Sequence, residues 1–176
     1  MNTKFNIYAM IIDQTESENR YHLYISMDTK ENKADVYTLN GLLNEDVKSY
    51  DTQLQKIFQK KPDYHLSLKA EALVKLTDQL GGITVNQQPM NGKEALAYAR
   101  SGKYLEVLDS ICQAVLKKGN LLKTIPGLLS TLKESYETDM PLMDIIKVAL
   151  GEINDLSKWK VYIHKLNKEN IRKVLG

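Results

Sequence analysis

Apolar and polar positions alternate through the first forty residues. Asn6–Ile12 is a short apolar run bounded by polar residues. Tyr21, Leu23, Ile25 and Met27 then share one parity, the period of a half-buried strand. Polar residues of Gln14–Arg20 separate the two runs, and Asp28–Lys33 reads as a turn into Ala34–Leu39, where Val36 and Thr38 favour extended backbone. The pattern predicts a three-stranded meander. From Leu43 the period changes. Apolar residues fall at 43, 47, 50, 54, 57 and 58, which is helical spacing, and Pro62 is expected to end that helix. Tyr64–Leu68 reads as a short strand. Ser67 is a candidate N-cap for a helix carrying Glu71, with Leu73, Leu76 and Leu80 on one face. Gly81-Gly82 stops it, because glycine takes the left-handed cap without steric cost.

Ile83–Val85 is a buried-strand candidate. Asn91-Gly92-Lys93-Glu94 has the spacing of a capping box before a helix over Ala95–Arg100. Tyr104, Leu108, Ile111, Val115 and Leu116 form a helical stripe that Gly119 terminates. Ile125, Leu128, Leu129, Leu132 and Tyr136 form another. Asp139 is an expected N-cap with Pro141 in the first turn, ahead of an inner face of Leu142, Ile145, Ile146 and Ala149. Trp159–Leu166 alternates and predicts a final strand. Strands interleaved with helices predict an α/β fold: a single three-layer sandwich, one mixed sheet with helices on both faces. The 176 residues suit one domain over 1–176, with 164–176 as a candidate loose C-terminal tail.

Charge narrows the function classes. There are 24 Lys+Arg and 22 Asp+Glu, interspersed, with no three basic residues in a row. A nucleic-acid binder needs a concentrated basic face, so none is expected as a partner. No apolar run is long enough to cross a bilayer, and no secretory signal precedes the first strand. Membrane contact would require an anchor upstream of Met1. Cys112 has no disulfide partner in the chain and sits on an apolar helical face, so a buried thiol is expected. His22, His65 and His164 fall in strand-like segments and read as structural. Three scattered histidines and one cysteine do not make a zinc site.

Residues 73–100 carry a longer pattern. Leu73-Val74-Lys75-Leu76-Thr77-Asp78-Gln79-Leu80-Gly81-Gly82-Ile83-Thr84-Val85-Asn86 is followed by Met90-Asn91-Gly92-Lys93-Glu94-Ala95-Leu96-Ala97-Tyr98-Ala99-Arg100. This resembles the LytR-CpsA-Psr family, in which a helix ending in D-x-L-G-G-[IV]-x-V-N leads to L-x-G-x-x-A-L-x-[YF]-x-R. Asn6–Asp13 resembles the family's opening strand, and Thr138-Asp139-Met140 its late T-D-[ML] helix start. The resemblance implies an extracytoplasmic protein of the cell envelope, tethered by an N-terminal helix. It implies transfer of glycopolymers such as teichoic acid or capsule from a polyprenyl pyrophosphate carrier to the cell wall. The lipid would lie in an apolar tunnel, arginines would hold the pyrophosphate, and aspartates would bind magnesium. Those residue types suit the chemistry: arginine donates paired hydrogen bonds to phosphate, and magnesium takes oxygen ligands.

Carried over position by position, the resemblance implies a phosphate-binding role for Arg100 and a metal role for Asp13. Lys103 and Arg20 are candidate replacements for missing phosphate-binding arginines. The departures are many. Gly102 stands where a second arginine is usual, and the positions of an arginine-rich helix start fall near Leu108 and Ile111, leaving only Gln113. Tyr37-Thr38-Leu39-Asn40-Gly41 replaces S-I-P-R-D, and no carboxylate stands at Arg20-Tyr21-His22, where a second metal aspartate belongs. The sequence therefore reads as a divergent relative with a degenerate active site and an unassigned catalytic residue. The alternative is a non-catalytic module binding a polyprenyl lipid or a protein. A transcriptional regulator is disfavoured by the charge pattern. The motif predicts Arg100 at the mouth of an apolar hollow.

Overall fold

The strands of the meander bury both of their faces. In β1 (Lys4–Gln14), Ala9 and Ile11 enter one core cluster while Tyr8 and Met10 enter a second. In β2 (Glu18–Asp28), Leu23 and Ile25 join the first, and Tyr24 the second. The half-buried strand expected over Tyr21–Asp28 is thus a central strand, with His22 and Tyr24 almost fully buried on its other parity. The ring atoms of those two residues fill the second face despite their polar groups.

The computed structural model describes residues 4–15, 18–39, 41–45, 49–118, 127, 130–141, 143–145 and 156–175. β3 (Lys33–Thr38) completes the antiparallel meander. β4 (Tyr64–Lys69) pairs parallel to β1, β7 (Tyr136–Thr138) antiparallel to β4, and β8 (Lys160–Lys165) parallel to β3. The six-stranded mixed sheet runs β7-β4-β1-β2-β3-β8. α2 (Ala70–Gln79), α3 (Gly92–Tyr98) and α4 (Tyr104–Lys118) cover one face through Leu73, Leu96, Val107 and Ile111. α1 (Asp51–Phe58) covers the other, where Leu54 is fully buried and Phe58 stacks on Tyr24 with ring centroids 3.8 Å apart. The expected three-layer α/β sandwich is the fold.

The α2–α3 corner is built from local chemistry. The Gly81 and Gly82 amides donate to Asp78 O and Thr77 O, closing α2, with both glycines at positive φ. A separate hairpin follows, β5 (Ile83–Val85) with β6 (Gln88–Met90). The expected capping box then starts α3: Asn91 Oδ1 accepts from the Glu94 amide, and the Glu94 side chain accepts from the Asn91 amide. At Gly92, a Cβ would lie 2.3 Å from the Val74 carbonyl oxygen, so this glycine lets α3 rest directly on α2.

Several boundaries differ from the sequence reading. The helix expected from Leu43 starts at Asp51 and stops at Phe58, where Gln59 turns left-handed (φ 61°), before Pro62 can act. Ser67 does not cap α2; it lies inside β4, and Lys69 opens the helix with no side-chain cap. Tyr136, expected on a helical stripe, is in β7. Residues 164–175 form an ordered end to the sheet: His164 and Lys165 belong to β8, Leu166 is 2% exposed, and α5 (Ile171–Leu175) sends Leu175 onto the α1-side core. Burying a leucine side chain contributes about 1.5–3 kcal/mol, enough to fasten such a segment. Gly119, Ile125, Leu128, Leu129, Leu142, Ile146 and Ala149, to which helical roles were assigned, lie outside the described residues.

Candidate phosphate site

Asp13 and Arg100 meet. β1 and β4 run parallel, and their carboxyl ends open where α2 begins, the usual place for a site in such sheets. Asp13 is the penultimate residue of β1 and is 3% exposed. Arg100 follows α3 in a wide turn, Ala99–Lys103, that Gly102 resolves at φ 89° so that α4 can start. The guanidinium grips the carboxylate side-on: Nε donates to Oδ2 at 2.8 Å and Nη2 to Oδ1 at 2.9 Å. Tyr104, one turn beyond Arg100, donates its hydroxyl to Oδ2 at 3.0 Å and stacks on Tyr21 with ring centroids 3.8 Å apart.

Electrostatics follow from that geometry. The Arg100 hydrogen bonds hold the Asp13 carboxyl below its ordinary value, against burial and with help from Tyr104. Arg100 is raised in turn by Asp13. Burial first, and then Asp13, push the Tyr104 hydroxyl upward, so it stays a donor. The arginine side chain is 42% exposed. It lines a cleft of about 110 Å³ with Ile12, Asp13, Gln14, Lys69, Ala70 and Glu71. Nη1 and the outer N–H of Nη2 are not part of the side-on grip, so the end-on edge of the fork can take an anion.

The other predicted residues are elsewhere. Arg20 pairs with Ile12 on the opposite parity of the sheet, and its Nη1 donates to the Tyr50 hydroxyl at 3.0 Å, beside α1. Lys103 reaches Glu106 at 3.8 Å on the exposed first turn of α4. The structure brings together Asp13 and Arg100, and neither Arg20 nor Lys103 joins them. Leu108 and Ile111, at the missing arginine positions, pack into the helix-side core. The motif predicts a deep apolar hollow at Arg100, and the structure has a cleft of about 110 Å³ there; a hollow of about 900 Å³ lies between the end of α2, the β5–β6 hairpin and α4.

The residues present do not fit a magnesium ion. Both Asp13 oxygens already accept from Arg100, and Oδ2 also from Tyr104. Magnesium prefers an open octahedral set of oxygens, and an ion here would sit against a fixed guanidinium. Tyr21, not a carboxylate, occupies the strand position beside Tyr104. No three His, Cys, Asp or Glu side chains among the described residues could hold a metal.

Sequence reasoning missed Tyr104, Tyr21, Lys69 and Glu71. Tyr104 stands four residues beyond Arg100, a spacing that could have flagged it. It also missed two histidine networks on the α1 side. His22 bridges the Tyr8 hydroxyl (2.6 Å) and Glu45 (2.5 Å), and the Tyr50 hydroxyl donates to Glu45 at 2.7 Å. His65 lies between Asp139 on Nδ1 and Asp51 on Nε2, both at 2.7 Å. Asp139, the expected helix cap, also accepts the His65 amide at 2.6 Å. His164 stacks on Tyr37 and contacts Asp35 at 2.9 Å. Cys112 is half-buried, and burial pushes its thiol up to about 11.

Solved structures share this architecture. TagT, solved bound to LI-WTA, superposes with a TM-score of 0.66 at 14% identity over 99% of this chain and 88% of TagT. The chain has the LytR-CpsA-Psr fold. TagV of B. subtilis matches with a TM-score of 0.66 at 14% identity over 99% and 96% of the two chains. EF0465 of Enterococcus faecalis, described as a transcriptional regulator, matches with a TM-score of 0.65 at 18% identity over 93% and 75%. No family model and no curated protein matches the sequence.

Proposed function

We propose that this LytR-CpsA-Psr-fold chain works in the cell envelope, holding the phosphate end of a polyprenyl-linked glycopolymer precursor as a binder without efficient transfer. The observation that carries the reading is the Arg100 fork, fixed on buried Asp13 beside the start of α2, with one edge left for an anion. A pre-oriented arginine recognises phosphate geometry and loses little freedom on binding. TagT's ligand supports an envelope glycopolymer as the class to test first. Weak transfer follows from Leu108 and Ile111, whose packing puts core where relatives of the motif carry arginines. Losing one transition-state donor costs about 3–4 kcal/mol, and here several are absent.

Farnesyl phosphate titrated into the protein should raise its melting temperature, and Arg100→Ala should abolish the shift. Incubation with a polyprenyl-pyrophosphate-linked glycan and peptidoglycan should give no transfer. Transfer at rates typical of enzymes would replace this reading by the catalytic one, and the absence of any Arg100-dependent shift would remove it.

A further inference from the structure

We infer that the Asp13 carboxylate is a positioning group for Arg100 in place of a metal ligand, so the site takes a single phosphate group without any divalent cation. The inference rests on the phosphate-binding reading and specifies its ligand.

Asp13 accepts three donors at 2.8–3.0 Å and is almost fully buried. A cation on the remaining lone pair of Oδ1 would sit against the guanidinium that neutralises the carboxylate. The side-on grip also decides which edge of the fork is left for a ligand: Nε and one N–H of Nη2 are spent on Asp13, and the Nη1–Nη2 edge remains on a residue that lines the cleft. Tyr104 donates to Oδ2, the oxygen that also takes Nε, and its ring is itself held by stacking on Tyr21.

Charge count gives the ligand class. The ionisable side chains lining the cleft are Asp13, Glu71, Lys69 and Arg100, two of each sign. A pyrophosphate brings at least two negative charges and needs a divalent ion or several arginines to offset them. A phosphodiester or phosphomonoester brings one or two, which leaves less charge to be met by Lys69 and the hydrogen-bonding edge of Arg100. The cleft, about 110 Å³, has room for one phosphate group.

Two measurements on the intact chain separate this inference from the reading beneath it. Manganese alone, titrated against NMR signals of the Tyr21 and Tyr104 rings, should leave them sharp up to millimolar ion; selective broadening there overturns the inference whatever the ligand proves to be. Isothermal titration with farnesyl phosphate should give the same Kd in EDTA and in magnesium, within about twofold, and tighter binding than farnesyl diphosphate. A magnesium-dependent gain of tenfold or more, or a preference for the diphosphate, overturns it too. Tyr104→Phe, which removes one hydroxyl and keeps the ring stack, should weaken farnesyl phosphate about tenfold through loss of a hydrogen bond to a charged group, with metal independence retained. If no phosphate compound binds and manganese leaves the rings sharp, the phosphate-binding reading has failed, and the inference falls with it.

Discussion

The two faces of the sheet solve the burial of charge differently. On the helix-side face, Asp13 is paired with an arginine that cannot lose its proton. On the α1 face the work falls to two histidines with different partners. His22 meets one group that can donate, the Tyr8 hydroxyl, and one that only accepts, Glu45. Burial opposes the Glu45 charge, yet the Tyr50 and His22 hydrogen bonds outweigh it and keep this carboxyl low. Burial also raises the Tyr8 hydroxyl, so it keeps its proton. His65 meets two carboxylates, and each can only accept. Both of its nitrogens must then carry protons. His65 is thus held as a cation by partners that can only accept. The Asp13 pair should fail in acid; the His65 pair should fail in base as the ring loses its proton, and in acid as Asp139 gains one.

The largest test of that contrast attacks the frame of the Asp13–Arg100 face. Gly92→Ala forces a Cβ to 2.3 Å from the Val74 carbonyl oxygen, and the overpacking should cost about 3 kcal/mol in urea unfolding. Gly41→Ala is the control: φ is 81° but nothing lies within 4 Å, so only backbone strain of about 1–2 kcal/mol is expected. Equal losses would show that α3 does not depend on close contact with α2.

Arg100→Ala comes next. It leaves the Asp13 carboxylate buried with Tyr104 as its remaining side-chain donor, at a cost of about 2–3 kcal/mol near neutral pH. The sign with pH is set by the lowered Asp13 pKa. Stability from the pair is present above the unfolded carboxyl value of about 3.9 and is lost as pH falls through the lower folded value. Wild type and variant should converge in denaturation curves taken from pH 6 down to the acid limit. A gap that stays constant would mean that the pair contributes packing and no charge.

The faces also differ in how much the sequence discloses. The α2–α3 corner and Arg100 are legible because their determinants are local: a double-glycine stop, a capping box and a motif within thirty residues. Asp13 is marked by the resemblance of the opening strand, which implies a metal role, whereas the structure pairs it with Arg100. The tyrosine pair carries no such mark, because Tyr21 and Tyr104 are joined only by the fold. The His65 network unites residues 51, 65 and 139, with no spacing rule to reveal it. Asp139 looked like a helix cap since that is what an aspartate before proline most often does. Its side chain serves a strand residue, His65, which no local pattern singles out. The sheet itself was legible by period, but not the burial of the second parity, since His22 and Tyr24 count as weakly polar until their hydroxyl and ring nitrogens find partners.

The smallest expected effect is the most specific to the α1 face. Burial works against a charged His65, and the hydrogen bonds to Asp51 and Asp139 outweigh it, so its pKa is raised. A raised histidine contributes stability that is fully present below the unfolded value of about 6.5 and is lost as pH climbs through the folded value. Because the ring is 41% exposed, solvent screens the pair and the contribution should stay under about 1 kcal/mol. His65→Gln should therefore lower stability at pH 6 and leave it unchanged at pH 9. The imidazole carbon shifts of wild type should titrate above pH 6.5. A titration at or below that value would mean that one carboxylate contact is not kept in solution.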